Sequence, residues 1–420
     1  MGSESRGEIV SVDRLVERFC RYARIDTQAQ EHNQTRPSSP GQVELGRMLC
    51  RELRELGVAD ADIWPQGTVV GTVPGNERAP VVAWIAHMDT SPEAPGHPVR
   101  PVVRPKYQGG PITYPANPDL VLRPEECPEL LQCIGHTLIT SDGTTLLGAD
   151  DKCGVAVIME AVGYLLEHPQ SPRPTLRICF TCDEEIGRGV EGLDLDQLGA
   201  QVAYTLDGAG AGEIDCETFS ADLAEVVIRG VNIHPSIAKG RMVNAVRLAG
   251  ELLARLPGRR LAPESSEGRE GFLHPYRIEG GVAEARMRIL LRDFETARLG
   301  DYAELVRHIG RHLELEHPGA QVEVHVTPQY RNMAEGLRKE PRAVALAEEA
   351  MRRAGLEPKR TSVRGGTDGS RLTEMGLPTP NLSCGEHNPH ALTEWTSAQE
   401  MEAAVRVLIE LAAVWARETR

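Results

Sequence analysis

The sequence predicts an α/β domain, with a mixed, mostly parallel sheet flanked by helices, interrupted by an inserted α+β domain built on an antiparallel sheet. Three observations carry that prediction. Largely apolar runs at 81–86 (VVAWIA), 175–181 (TLRICFT) and 201–206 (QVAYTL) suit strands buried on both faces, as parallel sheets require. From about 217 the pattern changes to alternating strands at 217–231, 280–294 and 320–330, with helical stretches at 241–256 and 296–315 between them. After about 331, helix–strand alternation returns. The expected domains are therefore 1–216 together with 330–420, and an insertion at 217–329. At 420 residues the chain is too long for one ordinary core, which agrees with two domains.

Taken in order, 11–25 and 41–57 carry apolar residues at three- and four-residue spacing and predict amphipathic helices, separated by a polar loop at 28–41. Segment 61–73 reads as a short hairpin. The run 81–86 then delivers His87, Met88, Asp89 and Thr90 at its C-terminal end. Residues 91–137 are rich in Pro and Gly and predict a long excursion with irregular hairpins. Segment 138–149 reads as strand, turn, strand, with Asp142-Gly143 as the turn. An apolar helix follows at 153–166, ending before Pro169. The closing part predicts a helix at 341–354, strands near 360–364 and 379–383, and a helix at 397–416.

Composition narrows the function. Hydrophobic residues make up 40% and charged residues 25%, the profile of a globular protein. With 46 basic and 61 acidic residues the net charge is −15, which argues against nucleic acid or an anionic membrane as partner. Nine cysteines show no short-spaced framework, so reduced thiols in a reducing compartment are expected. No apolar run approaches the roughly 18 residues that span a bilayer, and the opening MGSESRGE has no signal-peptide core. The expected location is the cytoplasm.

The chemistry concentrates at strand ends. One buried strand leads to His87 and Asp89, a second to Asp183-Glu184-Glu185, and a third to Asp207; unrelated surface carboxylates would not favour strand C-termini. Asp150-Asp151-Lys152 opens the apolar helix, and His390 lies in CGEHNPHALTEW (384–395). Taken singly, Asp150 reads as a helix cap, His87 as a buried histidine and Glu184-Glu185 as a solvated pair. Together they form a mixed nitrogen and oxygen donor set suited to Zn²⁺, with Co²⁺ or Mn²⁺ as substitutes. There are more donors than one tetrahedral zinc needs, so two metals sharing a bridging carboxylate is the economical reading. The loop Arg364-Gly365-Gly366-Thr367-Asp368-Gly369 lacks the Lys of a phosphate-binding P-loop, which excludes nucleotide binding.

Eight segments then resemble, in order, the motifs of the peptidase T family: AWIAHMDTSP (83–92), LLGADDKCG (146–154), FTCDEEIGRG (180–189), YTLDGAG (204–210), NIHPSIAKGRMVNA (232–245), LLRDFE (290–295), RGGTDGS (364–370) and NPHALTEW (388–395). This is the tripeptide aminopeptidase branch of the two-zinc exopeptidases, which include glutamate carboxypeptidase and succinyl-diaminopimelate desuccinylase. The resemblance implies that His87 and Asp207 hold one zinc, Glu185 and His390 the other, and Asp150 bridges both. It also implies a cis peptide between Asp150 and Asp151. Glu184, beside a ligand without being one, is the expected general base, and Asp89 is expected to orient an imidazole. His234 resembles the residue that a partner subunit's inserted domain lends to stabilise the oxyanion, which implies a homodimer. Asn244, Arg292 and Arg364 would anchor the peptide's terminal carboxylate.

The implied function is a zinc-dependent aminopeptidase that removes the N-terminal residue from short peptides, tripeptides above all, with the insertion acting as a lid and dimerisation domain. The alternatives are an N-acyl amino acid deacylase or dipeptidase on the same site, or an inactive metal-binding interaction protein. Three positions depart from the family pattern: Cys153 replaces a small residue, Cys182 a frequent Pro, and Pro389 a commoner aromatic.

Overall fold

The computed structural model describes residues 10–418; the opening MGSESRGE read above for a signal peptide lies outside them. Contacts divide the chain into two compact units, one of 1–216, 336–361 and 375–420, the other of 217–335 and 362–374. Each is built around its own sheet.

The first unit holds an eight-stranded mixed sheet. Its spatial order is Asp62–Ile63, Val69–Val73, Leu176–Thr181, Val82–His87, Val202–Leu206, Asn381–Leu382, Glu213–Thr218 and Lys359–Val363. Val82–His87 is buried along its whole length, the burial its unbroken apolar sequence predicts. It runs parallel to the strands on both sides. The helix Ala149–Glu167 packs over Val82–His87 and Val202–Leu206 and is itself almost wholly buried, because VAVIMEAVGYLL is apolar nearly all round. Its packing is close. A Cβ on Gly154 would stand 1.9 Å from Leu206 O and 2.4 Å from Asp151 Oδ1. Gly154→Ala is therefore expected to destabilise the protein by roughly 1–3 kcal/mol, read as a lower urea midpoint at unchanged slope.

A second, four-stranded sheet in the same unit orders Glu386–His387, Trp395–Ser397, Leu138–Thr140 and Val102–Arg104. Here one expectation fails: 138–149 contains one strand, not two. The amides that a second strand would use go elsewhere. Leu147 and Gly148 donate N–H bonds to the Glu394 carboxylate at 2.7 and 2.8 Å, and Asp142 and Ser141 bond within their own turn.

In the second unit, Phe272–Gly280, Glu284–Asp293, Ser220–Arg229 and Gln321–Tyr330 form an antiparallel sheet in that order, with the helices Ala245–Arg255 and Thr296–Glu316 packed against it. Alternate residues Ala285, Met287, Ile289 and Leu291 face the core, the period of two expected of such a strand. The edge strand Phe272–Gly280 escaped the sequence reading, since it is mostly exposed and contains Pro275, beside which its register shifts. Residues 362–374 belong to this unit, although the sequence places them with the first domain. Val363 O accepts the Phe219 N–H, Arg364 bonds Ser266 and Glu270, and Arg371 bonds Gln329 O.

Candidate metal centre

Because Leu176–Thr181, Val82–His87 and Val202–Leu206 are adjacent and parallel, their C-terminal ends share one edge of the sheet. His87, the Asp183–Glu185 loop and Asp207 therefore emerge side by side, where ligands sit in open α/β sheets. Asp150 reaches the same place from the start of the buried helix. His390 comes from the loop between Glu386–His387 and Trp395–Ser397, which the small sheet docks by pairing Trp395 with Thr140.

Asp150 stands between the two imidazoles. Its Oδ1 is 2.9 Å from His87 Nε2 and its Oδ2 3.3 Å from His390 Nε2. Asp207 Oδ1 lies 3.7 Å from the same His87 nitrogen, and Glu185 Oε2 lies 2.9 Å from His390 Nε2. Two trios, His87–Asp150–Asp207 and His390–Asp150–Glu185, thus share one carboxylate. His390 and Asn388 both adopt left-handed φ, at 63° and 50°, a conformation that costs about 1–3 kcal/mol for residues other than glycine. The peptide between Asp150 and Asp151 is cis, as the resemblance implies.

These residues fit a pair of metal ions. Asp150 Oδ1 and Glu185 Oε1 are buried and accept no hydrogen bond. Orphaned buried acceptors are costly, and a cation satisfies them. The electrostatics agree. Burial and the Asp150 charge push Asp207 up to about 6 and Glu185 up to about 8. Contacts with Asp150 and Glu185 push His390 up to about 11. Burial and the mutual repulsion of these carboxylates oppose their full ionisation, and bound cations would offset that repulsion.

Asp151 also has an oxygen close to His87 and Asp207. Its carboxylate is already engaged: Oδ2 accepts the His87 N–H at 2.9 Å and Oδ1 the Gly154 N–H at 3.0 Å. It supports the strand end behind the trio. Asp89 makes its side-chain hydrogen bonds to the glutamate loop. His87 Nδ1 is 3.1 Å from the Asp89 carbonyl oxygen and 3.5 Å from its carboxylate, while that carboxylate accepts the N–H groups of Glu184 and Glu185, both at 3.0 Å. One buried side chain thereby ties the His87 strand to the glutamate loop.

Glu394 enters the sequence reading only within NPHALTEW (388–395), yet this buried carboxylate accepts three backbone amides, from Leu147, Gly148 and Asp150. It joins the His390 loop to the bridging aspartate. Its signal was present, since a buried glutamate needs partners, but the partners lie more than 240 positions away. Glu394→Gln replaces one acceptor oxygen with a donor and is expected to weaken metal affinity about 10–100-fold. Competition against a chelator of known affinity checks this, and unchanged affinity would contradict the role.

Four expected site residues stand in the second unit. Arg292 and Arg364 both lie over the Phe272 ring, 6.0 and 5.5 Å from its centroid. Arg364 donates to Ser266 O, Ser266 Oγ and Glu270 O, and the buried Nε atoms of both Arg292 and Arg364 have no acceptor. The Asn244 side chain caps the helix Ala245–Arg255, accepting from Val246 and Arg247. His234 is exposed, with Nδ1 2.7 Å from Ser236 Oγ.

Residues 140–414 match the model of Peptidase family M20/M25/M40, and the chain belongs to that family. Its similar relatives are peptidase T proteins. That of Geobacillus kaustophilus (strain HTA426) is 43% identical over 399 residues, covering 94% of this chain and 97% of that protein. Among solved structures, a tripeptidase from Staphylococcus aureus subsp. aureus mu50 superposes with a TM-score of 0.78 at 22% identity, over 98% of this chain and all of that one. The aminopeptidase PepT of Bacillus cereus ATCC 10987 gives 0.76 at 22% identity, over 97% and 100%. These two likenesses establish the fold.

Proposed function

We propose that this chain is a two-zinc aminopeptidase that removes the N-terminal residue from tripeptides, with Glu184 as general base. The observation that carries the reading is the carboxylate of Asp150 set between two His–carboxylate pairs, with Glu184 fastened beside one of them through Asp89. His87 and Asp207 would hold one zinc, His390 and Glu185 the other, and Asp150 both. Bound there, the zincs would lower the pKa of a water towards about 7 and polarise the scissile carbonyl. Glu184 takes a proton from the attacking water and returns it to the departing amine. Asp89 holds that glutamate's backbone in place throughout. His234, whose Nδ1 is occupied by Ser236, offers Nε2 to the developing oxyanion, and we assign it to the site of a partner subunit in a homodimer.

Arg292, whose Nε lacks an acceptor, suits the peptide's terminal carboxylate, with Arg364 and Asn244 assigned the same role. The second unit acts as lid and dimerisation domain. Among the described residues no helix is long and apolar enough to cross a membrane, and a cytoplasmic enzyme acting on imported or released peptides is the setting we assign.

Parallel assays on free and N-acetylated tripeptides test the reading. Release of the N-terminal residue is expected from the free peptides only. Turnover confined to the acetylated ones would assign the site to an N-acyl amino acid deacylase instead.

A further inference from the structure

Among the described residues, metal-ligating side chains also gather outside the ligand set just described. Glu251, Glu316 and His317 are already bridged by Arg255, which supplies the positive charge. Asp151, Cys384 and Glu386 lie directly behind the bridging aspartate and belong to its surroundings. The third group, Cys133, His387 and Glu400, shares no residue with the first centre and takes no part in the reaction.

We propose that Cys133, His387 and Glu400 form a separate metal site for a zinc-class ion. The three come from elements far apart in sequence: the end of the turn Pro128–Cys133, the strand Glu386–His387, and the first turn of the helix Ala398–Trp415. The fold nevertheless brings their sulfur, nitrogen and oxygen atoms within 4.8 Å of one another. Ligands around a tetrahedral zinc sit at about 2.0–2.3 Å from the ion, so small side-chain shifts close that set. His387 Nε2 already faces Glu400 Oε2 at 2.7 Å. Its ring is fixed by stacking on Trp395, with centroids 3.7 Å apart and planes 5° from parallel. Cys133 is fully buried beside Leu130, Leu138 and Trp395, and a water would complete the four-coordinate set.

The donor types decide the ion. One thiolate, one imidazole and one carboxylate suit zinc or cobalt and disfavour calcium and magnesium, which take oxygen ligands. Burial and the nearby Glu400 push the Cys133 thiol up to about 12, so it keeps its proton until a cation displaces it, and metal uptake releases that proton. Such an ion would pin the turn at Cys133 to the hairpin whose loop carries His390, and so brace the first centre from outside.

Sulfur makes the test specific, because the ligands expected at the first centre are nitrogen and oxygen only. The full chain, stripped with a chelator and titrated with Co²⁺ alone, is expected to develop a thiolate-to-cobalt charge-transfer band. It should also bind one equivalent more than Cys133→Ser, which loses the band. Cys153→Ser and Cys384→Ser, the thiols nearest the first centre, are expected to keep it. Absence of the band in the natural chain, or its survival in Cys133→Ser with unchanged stoichiometry, overturns the proposal. Should Cys133→Ser not be recovered folded, His387→Gln gives the same decision: the band must vanish or shift, and an unaltered band rejects the site.

Discussion

Glu184→Gln lowers kcat about 10²–10⁴-fold while the protein keeps its full complement of metal. The expectation follows from where the residue stands. Glu184 and Glu185, the latter a proposed ligand, are neighbours on one turn, and both of their backbone N–H groups are fixed by the Asp89 carboxylate. Glutamine keeps the size and the backbone bonds but cannot take a proton, so the loss falls on the chemical step. Metal content by elemental analysis should match the unaltered protein, and KM should change little, because the interaction removed acts in the transition state. Near-normal turnover would show that another group is the base, and loss of metal would show that Glu184 is itself a ligand.

The second large effect is expected at Asp150. In Asp150→Ala the one group common to both trios is gone, and the two imidazoles are left facing each other across the space it filled. Both metal positions should weaken together, by more than the about 10–100-fold typical of a supporting residue. Glu185→Ala, by contrast, removes a ligand from the His390 side alone and should spare the position beside His87 and Asp207. Isothermal titration with zinc distinguishes the two patterns. If Asp150→Ala keeps one position at its original affinity, the carboxylate is not shared.

Much of this centre was legible in the chain because its ligands sit at ends of elements. His87, Glu185 and Asp207 each follow a buried strand, and a parallel sheet puts such ends together. His390 follows no buried parallel strand, and it was the family motif that implied its place at one of the metals. What brings it to Asp150 is the pairing of Trp395 with Thr140 and the three amides that Glu394 collects, neither of which has any periodicity to read. The same contacts explain the missing strand in 138–149, whose backbone donors face a side chain instead of a neighbouring strand. In the second unit Ser220–Arg229 and Glu284–Asp293 were readable from their alternation. The edge strand Phe272–Gly280 has a solvated face and a proline, which erase that signal. Asn244 shows a different limit: its type and motif point to substrate, while its side chain caps a helix.

The central claim is a carboxylate shared between two metals, and anomalous diffraction from crystals of the zinc-loaded protein tests it most directly. Two peaks are predicted on either side of the Asp150 carboxylate, roughly 3.5–4 Å apart, one against His87 and Asp207 and the other against His390 and Glu185. A single peak there, or a pair that Asp150 does not join, would contradict the account.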